Sequence, residues 1–132
     1  MQSEYLFVYG TLLKDFDSYM SKFLNKNSEF IGTGYFNGRL YQISWYPGAV
    51  LSDLPSERVF GHLFKIHNKE KTFQILDDYE GIGESAEHPN EYKRVLIDAY
   101  LDSNVIINTW VYVYNLPTTH LKLITSGNYL NQ

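Results

Sequence analysis

The sequence predicts an α+β fold in which a small, mixed and mostly antiparallel β-barrel is flanked by helices. Six or more segments have the residue pattern of strands, whereas only two have the 3.6-residue period of helices. Most of the strands follow one another across short turns, as in antiparallel hairpins. The 132 residues are 44% hydrophobic and 17% aromatic, enough for one domain with a core and with strand-forming aromatic residues. Residues 1–132 are therefore interpreted as one domain.

Charge and composition narrow the classes of function. A net charge of −4, with no run of Lys or Arg, argues against nucleic acid and anionic membranes as partners. The absence of cysteine excludes disulfides, thiolate metal ligands and a cysteine nucleophile. The first residues lack a basic signal-peptide segment, and no apolar run is long enough to span a bilayer, so a cytoplasmic location is expected.

The first predicted strand runs directly into a glycine turn. Residues 5–9 are apolar or aromatic at both alternating sets of positions, which is typical of a strand buried on both faces. Gly10 allows a tight turn without a Cβ clash. The N–H groups of Gly10, Thr11 and Leu12 lie past the strand end, where such a turn can form an anion-binding nest. From these residues alone, an ordinary strand-to-loop turn is the simpler interpretation.

The next segments predict a short helix and two hairpin strands. Ser18 is placed at the N-cap of a helix that presents Tyr19, Met20, Phe23 and Leu24 on one face. The strand at 29–36 contains Gly32 and Gly34, and glycines inside a strand mark a bulge, a bend or close backbone approach. Asn37-Gly38 predicts a hairpin turn that leads into a return strand at 39–44.

The second half predicts further strands around one clear helix. The expected elements are, in order, a turn at 46–49, an extended piece at 50–51, a strand at 58–66, a helix at 69–79, a loop at 82–90 and a hairpin of strands 92–101 and 105–114. Asn68 is the expected N-cap of the helix, and Gly81 is its expected C-terminal cap. A tail follows, in which Leu121, Leu123 and Ile124 can dock.

Three carboxylates near the end of the predicted helix are the candidate catalytic groups. Leu76 and Glu80 share a helical face at i and i+4, whereas Asp77 and Asp78 are rotated toward solvent or the flank. Since Leu76 faces the core, Glu80 is expected near the mouth of the barrel. Burial among aromatic residues raises the pKa of a carboxyl, which suits a general acid and base near neutral pH. An exposed acidic helix end is the alternative.

Other chemistries fit the sequence less well. Oxygen ligands for Mg²⁺ or Ca²⁺ are available at Asp77, Asp78, Glu80, Glu84 and Glu87, but their spacing does not match a calcium-binding loop. The four histidines are scattered without the spacing of metal ligands, so no metal is expected. The Gly-x-Ser-x-Gly motif of serine hydrolases is absent from the sequence.

Several short motifs, taken in order, resemble the γ-glutamylcyclotransferase-like family, which includes the γ-glutamylamine cyclotransferases and the plant avirulence-induced (AIG2-like) proteins. The matching segments are Phe7-Val8-Tyr9-Gly10-Thr11-Leu12, Gly34-Tyr35, Gly38-Arg39-Leu40-Tyr41, Tyr46-Pro47-Gly48-Ala49-Val50, Val59-Phe60-Gly61-His62-Leu63-Phe64, Leu76-Asp77-Asp78-Tyr79-Glu80-Gly81 and Tyr92-Lys93-Arg94. His62 stands where an acidic residue is common in the family, and the loop at 82–90 is longer than in its shortest members.

The resemblance implies a β-barrel enzyme that closes a γ-glutamyl group to 5-oxoproline and releases an amine or amino acid. Glu80 matches the family's catalytic glutamate, and the turn of Tyr9, Gly10, Thr11 and Leu12 is expected to bind the α-carboxylate of the substrate. Tyr92 and Tyr114 are placed near the pocket by their positions in the last hairpin.

Two hypotheses stay open at this point. The first is the cyclotransferase, with a small γ-glutamyl compound as its partner and no cofactor. The second is a non-catalytic module that binds a carboxylate ligand on the same fold, since fold alone does not decide function. The sequence leaves open the oligomeric state and the leaving group, which can be an amino acid, a peptide, a protein lysine or an aminoglycoside-type amine.

Overall fold

A computed structural model describes residues 3–10, 19–82 and 88–129. Two helices and seven strands lie in these ranges. They are, in chain order, β1 Tyr5–Val8, α1 Tyr19–Lys26, β2 Ser28–Gln42, β3 Pro47–Leu51, β4 Arg58–Ile66, α2 Lys69–Tyr79, β5 Tyr92–Leu101, β6 Ile106–Tyr114 and β7 Lys122–Leu123.

Five of the strands close into a barrel, as the sequence predicts. Neighbours around the barrel follow the order β2, β4, β1, β6, β5, and β5 pairs with β2 again to complete the ring. The β1–β6 pair is parallel, and the other pairs are antiparallel. Closure removes the free edges that an open sheet would expose.

Strand β1 lies between β4 and β6 and is buried on both faces, which confirms the prediction from its residue pattern. Leu6 and Val8 belong to a cluster with residues of α1 and α2, outside the barrel. Phe7 and Tyr9 belong to the cluster that fills the barrel interior. The alternation of side chains along a strand thus joins two cores through one short segment.

Close approach of β5 explains a glycine in the middle of β2. A Cβ atom at Gly34 would lie 2.3 Å from the carbonyl oxygen of Tyr100. Gly34 is also where β2 pairs with β5, opposite Leu101, at the point where the barrel closes. The register of β2 against β4 shifts between Phe30 and Gly32, as in a β-bulge. Both roles expected of these glycines are confirmed.

The predicted hairpin turn at Asn37-Gly38 is wrong, because β2 continues through it to Gln42. Neighbouring backbone satisfies the Asn37 side chain, whose amide donates to the carbonyl oxygens of Pro55 and Glu57, both at 3.3 Å. The actual return strand is β3, which also replaces the turn expected at 46–49 and pairs with β2 from Gly38 to Gln42. Strand β2 therefore belongs both to the barrel and to a small second sheet, which it forms with β3 and β7.

Helix α2 has the predicted bounds, but its N-terminus differs from the prediction. Asn68 occupies the N-cap position in the left-handed conformation, with φ 49° and no capping bond from its side chain. The C-terminus is capped as predicted, with Gly81 at φ 75°. The N–H of Gly81 donates to the oxygen of Asp78 at 3.2 Å, and that of Ile82 donates to the oxygen of Asp77 at 3.0 Å. These are the two bonds of a Schellman motif.

The remaining predicted elements are largely confirmed. The last hairpin forms from β5 and β6, and the tail docks through Ile124, which is buried and donates its N–H to the oxygen of Leu40 at 2.7 Å. Leu123 stays exposed, and Leu121 is half-buried. Helix α1 is described from Tyr19, so its predicted cap, Ser18, lies outside the described residues.

Substitution of Gly34 by alanine should destabilise the protein, because the new methyl group meets backbone that cannot move without opening the barrel. We expect a loss of about 1–3 kcal/mol or more in the free energy of unfolding. Gly32→Ala is the matched control, since a Cβ at Gly32 has no other atom within 4 Å. Its effect should stay within about 0.5 kcal/mol. Urea denaturation measures both, and equal stabilities of the two variants would contradict the close approach at Gly34.

Candidate active site

A pocket of about 220 Å³ opens where the end of β1 meets the end of α2. Most of its wall is aromatic or apolar, and two carboxylates are part of it. The lining residues are Phe7, Val8, Tyr9, Gly10, Trp45, Tyr46, Pro47, Tyr79, Glu80, Gly81, Glu91, Tyr92 and Tyr112. Such a concave, mostly apolar cavity with a few polar groups is typical of a small-molecule site.

Glu80 reaches the pocket because of the way α2 ends. Its N–H donates to the oxygen of Leu76 at 2.9 Å, so the i to i+4 relation that the sequence predicts is kept in the last turn. Leu76 is fully buried in the core beneath the helix. Glu80 is half-buried and lies in the pocket wall together with Tyr9 and Gly10. The alternative of an exposed acidic helix end is therefore wrong for Glu80.

The surroundings of Glu80 favour its neutral form. The pKa of its carboxyl is raised from 4.5 to about 8, first by burial and then by the negative charges of Glu91 and Asp77. Each cause acts by disfavouring a charge, either through lost hydration or through repulsion. The result is a carboxyl group that can both accept and donate a proton near neutral pH.

Tyr9 and Gly10 line the pocket as the sequence predicts, whereas Thr11 and Leu12 lie outside the described residues. The phenol of Tyr9 is committed to the fold: it donates to the oxygen of Tyr112 at 2.6 Å and accepts the N–H of Ala49 at 3.1 Å. Gly10 packs against Pro47, whose Cγ would lie 2.7 Å from an added Cβ. Capture of an anion by the N–H groups of this turn stays a prediction.

Of the two tyrosines placed near the pocket, the structure brings only Tyr92 into its wall. Tyr92 is buried, and its hydroxyl donates to the oxygen of Pro47 at 2.6 Å, so its ring acts as wall. Tyr114 is not among the lining residues; its ring packs edge-on against Tyr92, with centroids 5.7 Å apart. As the cross-strand partner of Tyr92, Tyr114 lies next to the pocket wall, and its contact with a substrate stays a prediction.

The two aspartates before Glu80 have different surroundings. Asp78 is exposed, in keeping with its predicted orientation. Asp77 lies on the flank, where Arg94 donates to both of its carboxylate oxygens at 2.9 and 3.1 Å. The Tyr112 hydroxyl donates to the same carboxylate at 2.6 Å. Asp77 thus acts on the site indirectly, as a fixed negative charge that raises the pKa of Glu80.

Sequence reasoning missed Glu91 and the aromatic residues Trp45 and Tyr46. The Tyr46 hydroxyl donates a hydrogen bond to the Glu91 carboxylate, and both side chains line the pocket. Their positions carried a usable signal. Glu91 directly precedes Tyr92, which was placed at the pocket, and Tyr46 begins a motif already singled out by the resemblance.

Among residues 3–10, 19–82 and 88–129, no three side chains of the types His, Cys, Asp and Glu come together in a way that could hold a metal ion. Two of the acidic residues weighed as ligands, Glu84 and Glu87, lie outside the described residues. In the same ranges, neither helix has the length and apolar character needed to cross a bilayer.

Comparison with known proteins identifies the family. Residues 6–131 match the sequence model of the family described as "Gamma-glutamyl cyclotransferase, AIG2-like". The chain belongs to this family. A relative from Methanocaldococcus jannaschii, provisionally named a γ-glutamylcyclotransferase, is 32% identical over 96% of this chain and 95% of its own. The γ-glutamylcyclotransferase family protein YtfP of Escherichia coli is 33% identical over 96% of each chain.

Solved structures of the family share the barrel. The solution structure of YtfP from E. coli superposes with a TM-score of 0.62 at 31% identity and covers 96% of both chains. The crystal structure of a mouse AIG2-like protein superposes with a TM-score of 0.70 over 93% of this chain and 86% of its own. Its sequence identity is 18%, so this second likeness supports the fold alone.

The raised pKa of Glu80 predicts a pH-dependent cost to stability. Between about pH 4.5 and about pH 8 the folded protein keeps a proton on this carboxyl that the unfolded chain loses, so stability falls as the pH rises through that window. Glu80→Gln removes this titration. The variant should therefore gain stability relative to the original protein from about pH 5 to about pH 8, by at most a few kcal/mol. Urea denaturation across this range would contradict the prediction if the difference between the two proteins stayed constant.

Proposed function

We propose that this protein is a γ-glutamyl cyclotransferase, which closes the γ-glutamyl group of a small substrate to 5-oxoproline and releases an amine. The observation that carries the proposal is the position of Glu80, a shielded carboxyl in the wall of an aromatic pocket beside the end of β1. Membership of the γ-glutamyl cyclotransferase family supports the same reaction. A non-catalytic carboxylate-binding module would have no need for a carboxyl with a raised pKa at this place.

The proposed reaction needs one group that first takes and then gives a proton. Glu80 removes a proton from the α-ammonium of the substrate, because an ammonium nitrogen has no lone pair with which to attack. The free α-amine then bonds to its own γ-carbonyl carbon and closes the five-membered ring. As the bond from this carbon to the leaving nitrogen breaks, Glu80 returns the proton to that nitrogen. The ring nitrogen still carries a second proton, which Glu80 takes and passes to the departing amine, so the products are the neutral lactam and an alkylammonium ion.

The pocket is suited to this single-residue mechanism. Nucleophile and electrophile belong to one molecule, so holding the substrate in a folded conformation supplies much of the acceleration. The pKa of about 8 brings the Glu80 carboxyl close to that of an amine, which makes proton exchange between them nearly balanced. In this proposal the N–H groups of the turn after β1, from Gly10 to Leu12, hold the substrate's α-carboxylate.

The direct test is an assay for 5-oxoproline after incubation of the protein with a panel of γ-glutamyl amino acids, peptides and amines. Formation of 5-oxoproline together with the stoichiometric free amine supports the cyclotransferase. Saturable binding of these compounds without product from any of them would instead support the binding module.

Replacement of Glu80 by glutamine should lower turnover by roughly 10²-fold or more, because the amide keeps the size but cannot accept the proton. Substrate binding should be largely kept. The original enzyme should show a bell-shaped pH profile. Activity should rise as Glu80 loses its proton near pH 8. It should fall at higher pH, as the α-ammonium of the substrate loses its proton and no proton is left for the leaving nitrogen. Asp78→Asn is the matched control, since this exposed neighbour should leave turnover unchanged. Full turnover in Glu80→Gln would refute the assignment.

Activity is expected to be independent of metal ions, because the proposed mechanism routes every proton through Glu80. Turnover should stay the same after dialysis against a chelator and after addition of Mg²⁺, Mn²⁺ or Zn²⁺. Loss of turnover on chelation that a divalent ion restores would overturn this expectation.

A further inference from the structure

We infer that the pocket selects γ-glutamyl compounds whose released amine carries a second positive charge, as in a diamine or a polyamine. The inference rests on the proposed function and names the class of leaving group for it. It follows from three features of the described residues: a fixed carboxylate at Glu91, a run of aromatic rings beside it, and a pocket lining without a basic side chain.

Glu91 is held in the wall by the fold. Its backbone oxygen accepts the N–H of Asn115 at 2.7 Å, where β5 begins opposite the end of β6. Its side-chain carboxylate accepts the hydroxyl of Tyr46. One phenol uses only one of the several lone-pair positions of a carboxylate, so Glu91 keeps the capacity to accept bonds from an ammonium group. Since Glu80 serves the reacting end of the substrate, Glu91 is the carboxylate left for the departing end.

Aromatic rings continue from Glu91 toward the outside. Tyr46 lies between Tyr92 and Trp45, with ring centroids 6.3 Å from Tyr92 and 5.0 Å from Trp45. Trp45 is 68% exposed and lines the pocket, so its ring is open to contact with a bound ligand. Aromatic faces attract alkylammonium groups, and tryptophan does so most strongly. The same surface would also accept the methylene chain of an aliphatic diamine.

The described lining residues include no Lys, Arg or His that could pair with an anionic leaving group. Arg94 is bonded to Asp77, and its guanidinium carbon lies 4.5 Å from the ring centroid of Phe73 and 4.3 Å from that of Trp110. Arg94 therefore compensates the negative charge of Asp77. A leaving group that ends in a carboxylate would meet Glu91 without a compensating cation.

The test uses three substrates that differ in one terminal group. They are the γ-glutamyl amides of 1,5-diaminopentane, pentylamine and 5-aminopentanoate, which end in an ammonium, a methyl and a carboxylate group on chains of similar length. We expect kcat/KM to fall roughly tenfold from the ammonium to the methyl compound and further to the carboxylate compound. The preference for the ammonium compound should weaken as ionic strength rises.

Variants separate the charge of Glu91 from the aromatic surface. Glu91→Gln keeps a partner for Tyr46 and should reduce the ammonium-to-methyl ratio of kcat/KM at least about fivefold. Because the comparison is a ratio, any change in the pKa of Glu80 cancels. Trp45→Leu should reduce the same ratio less. Asp53→Asn, which removes an exposed negative charge that is not part of the pocket lining, should leave it unchanged.

Binding is measured in parallel with the glutaryl amides of the same three amines, which lack the α-amine and cannot cyclise. Tighter binding of the ammonium compound that is lost in Glu91→Gln supports the inference, even if no γ-glutamyl amide is turned over. Absence of turnover would refute only the proposed function. Equal turnover and equal binding of all three compounds would overturn the inference and leave the cyclotransferase standing. A preference that survives in Glu91→Gln would also overturn it. If Glu91→Gln does not fold, the original protein decides the question: a preference for the ammonium compound that does not change with ionic strength would overturn the inference.

Discussion

The position of Glu80 depends on the way in which α2 ends. Helix α2 stops at Tyr79, and Gly81, in the left-handed conformation, reverses the chain one residue after Glu80. The two Schellman bonds, from Gly81 to Asp78 and from Ile82 to Asp77, fix that turn. Leu76 anchors the last turn from below, fully buried against the outer face of β1 and its neighbours. A hydrophobic anchor and a glycine cap thus place one carboxyl at the mouth of the barrel.

That placement is electrostatically unfavourable for the ionised form, and the structure makes it more so. The C-terminal end of a helix carries partial negative charge, and Asp77 and Glu91 add full charges nearby. Asp77 has different surroundings, because Arg94 and Tyr112 both donate hydrogen bonds to its carboxylate. The Asp77 carboxylate is therefore paired with the Arg94 guanidinium, whereas the described residues place no cation beside the Glu80 carboxyl. Two acidic residues three positions apart in sequence therefore differ in their surroundings: a cation pairs with Asp77, whereas burial raises the pKa of Glu80.

Much of this could be predicted from the sequence, and the failures have physical reasons. Helix α2 and the candidate Glu80 follow from local periodicity and a glycine cap, which act within a few residues. Asn37-Gly38 failed because tertiary contacts override turn propensity: the Asn37 amide finds carbonyl partners at Pro55 and Glu57. The hairpin register puts Tyr114 opposite Tyr92, but it does not say which of the two rings reaches the cavity. Glu91 was missed because its role depends on contact with Tyr46, 45 residues away.

The chemistry left available in the pocket argues for an intramolecular reaction. Tyr9 and Tyr92 line the site, yet their hydroxyls are bonded to backbone groups of Tyr112, Ala49 and Pro47, which hold β3 and β6 in place. Burial raises the pKa of both phenols, so they stay protonated and serve as wall. The two carboxyl groups among the described lining residues are those of Glu80 and Glu91. A bimolecular hydrolysis would require the site to position and activate a separate water molecule. Ring closure asks only for a folded substrate and one proton acceptor, because the nucleophile arrives already attached to the group it attacks.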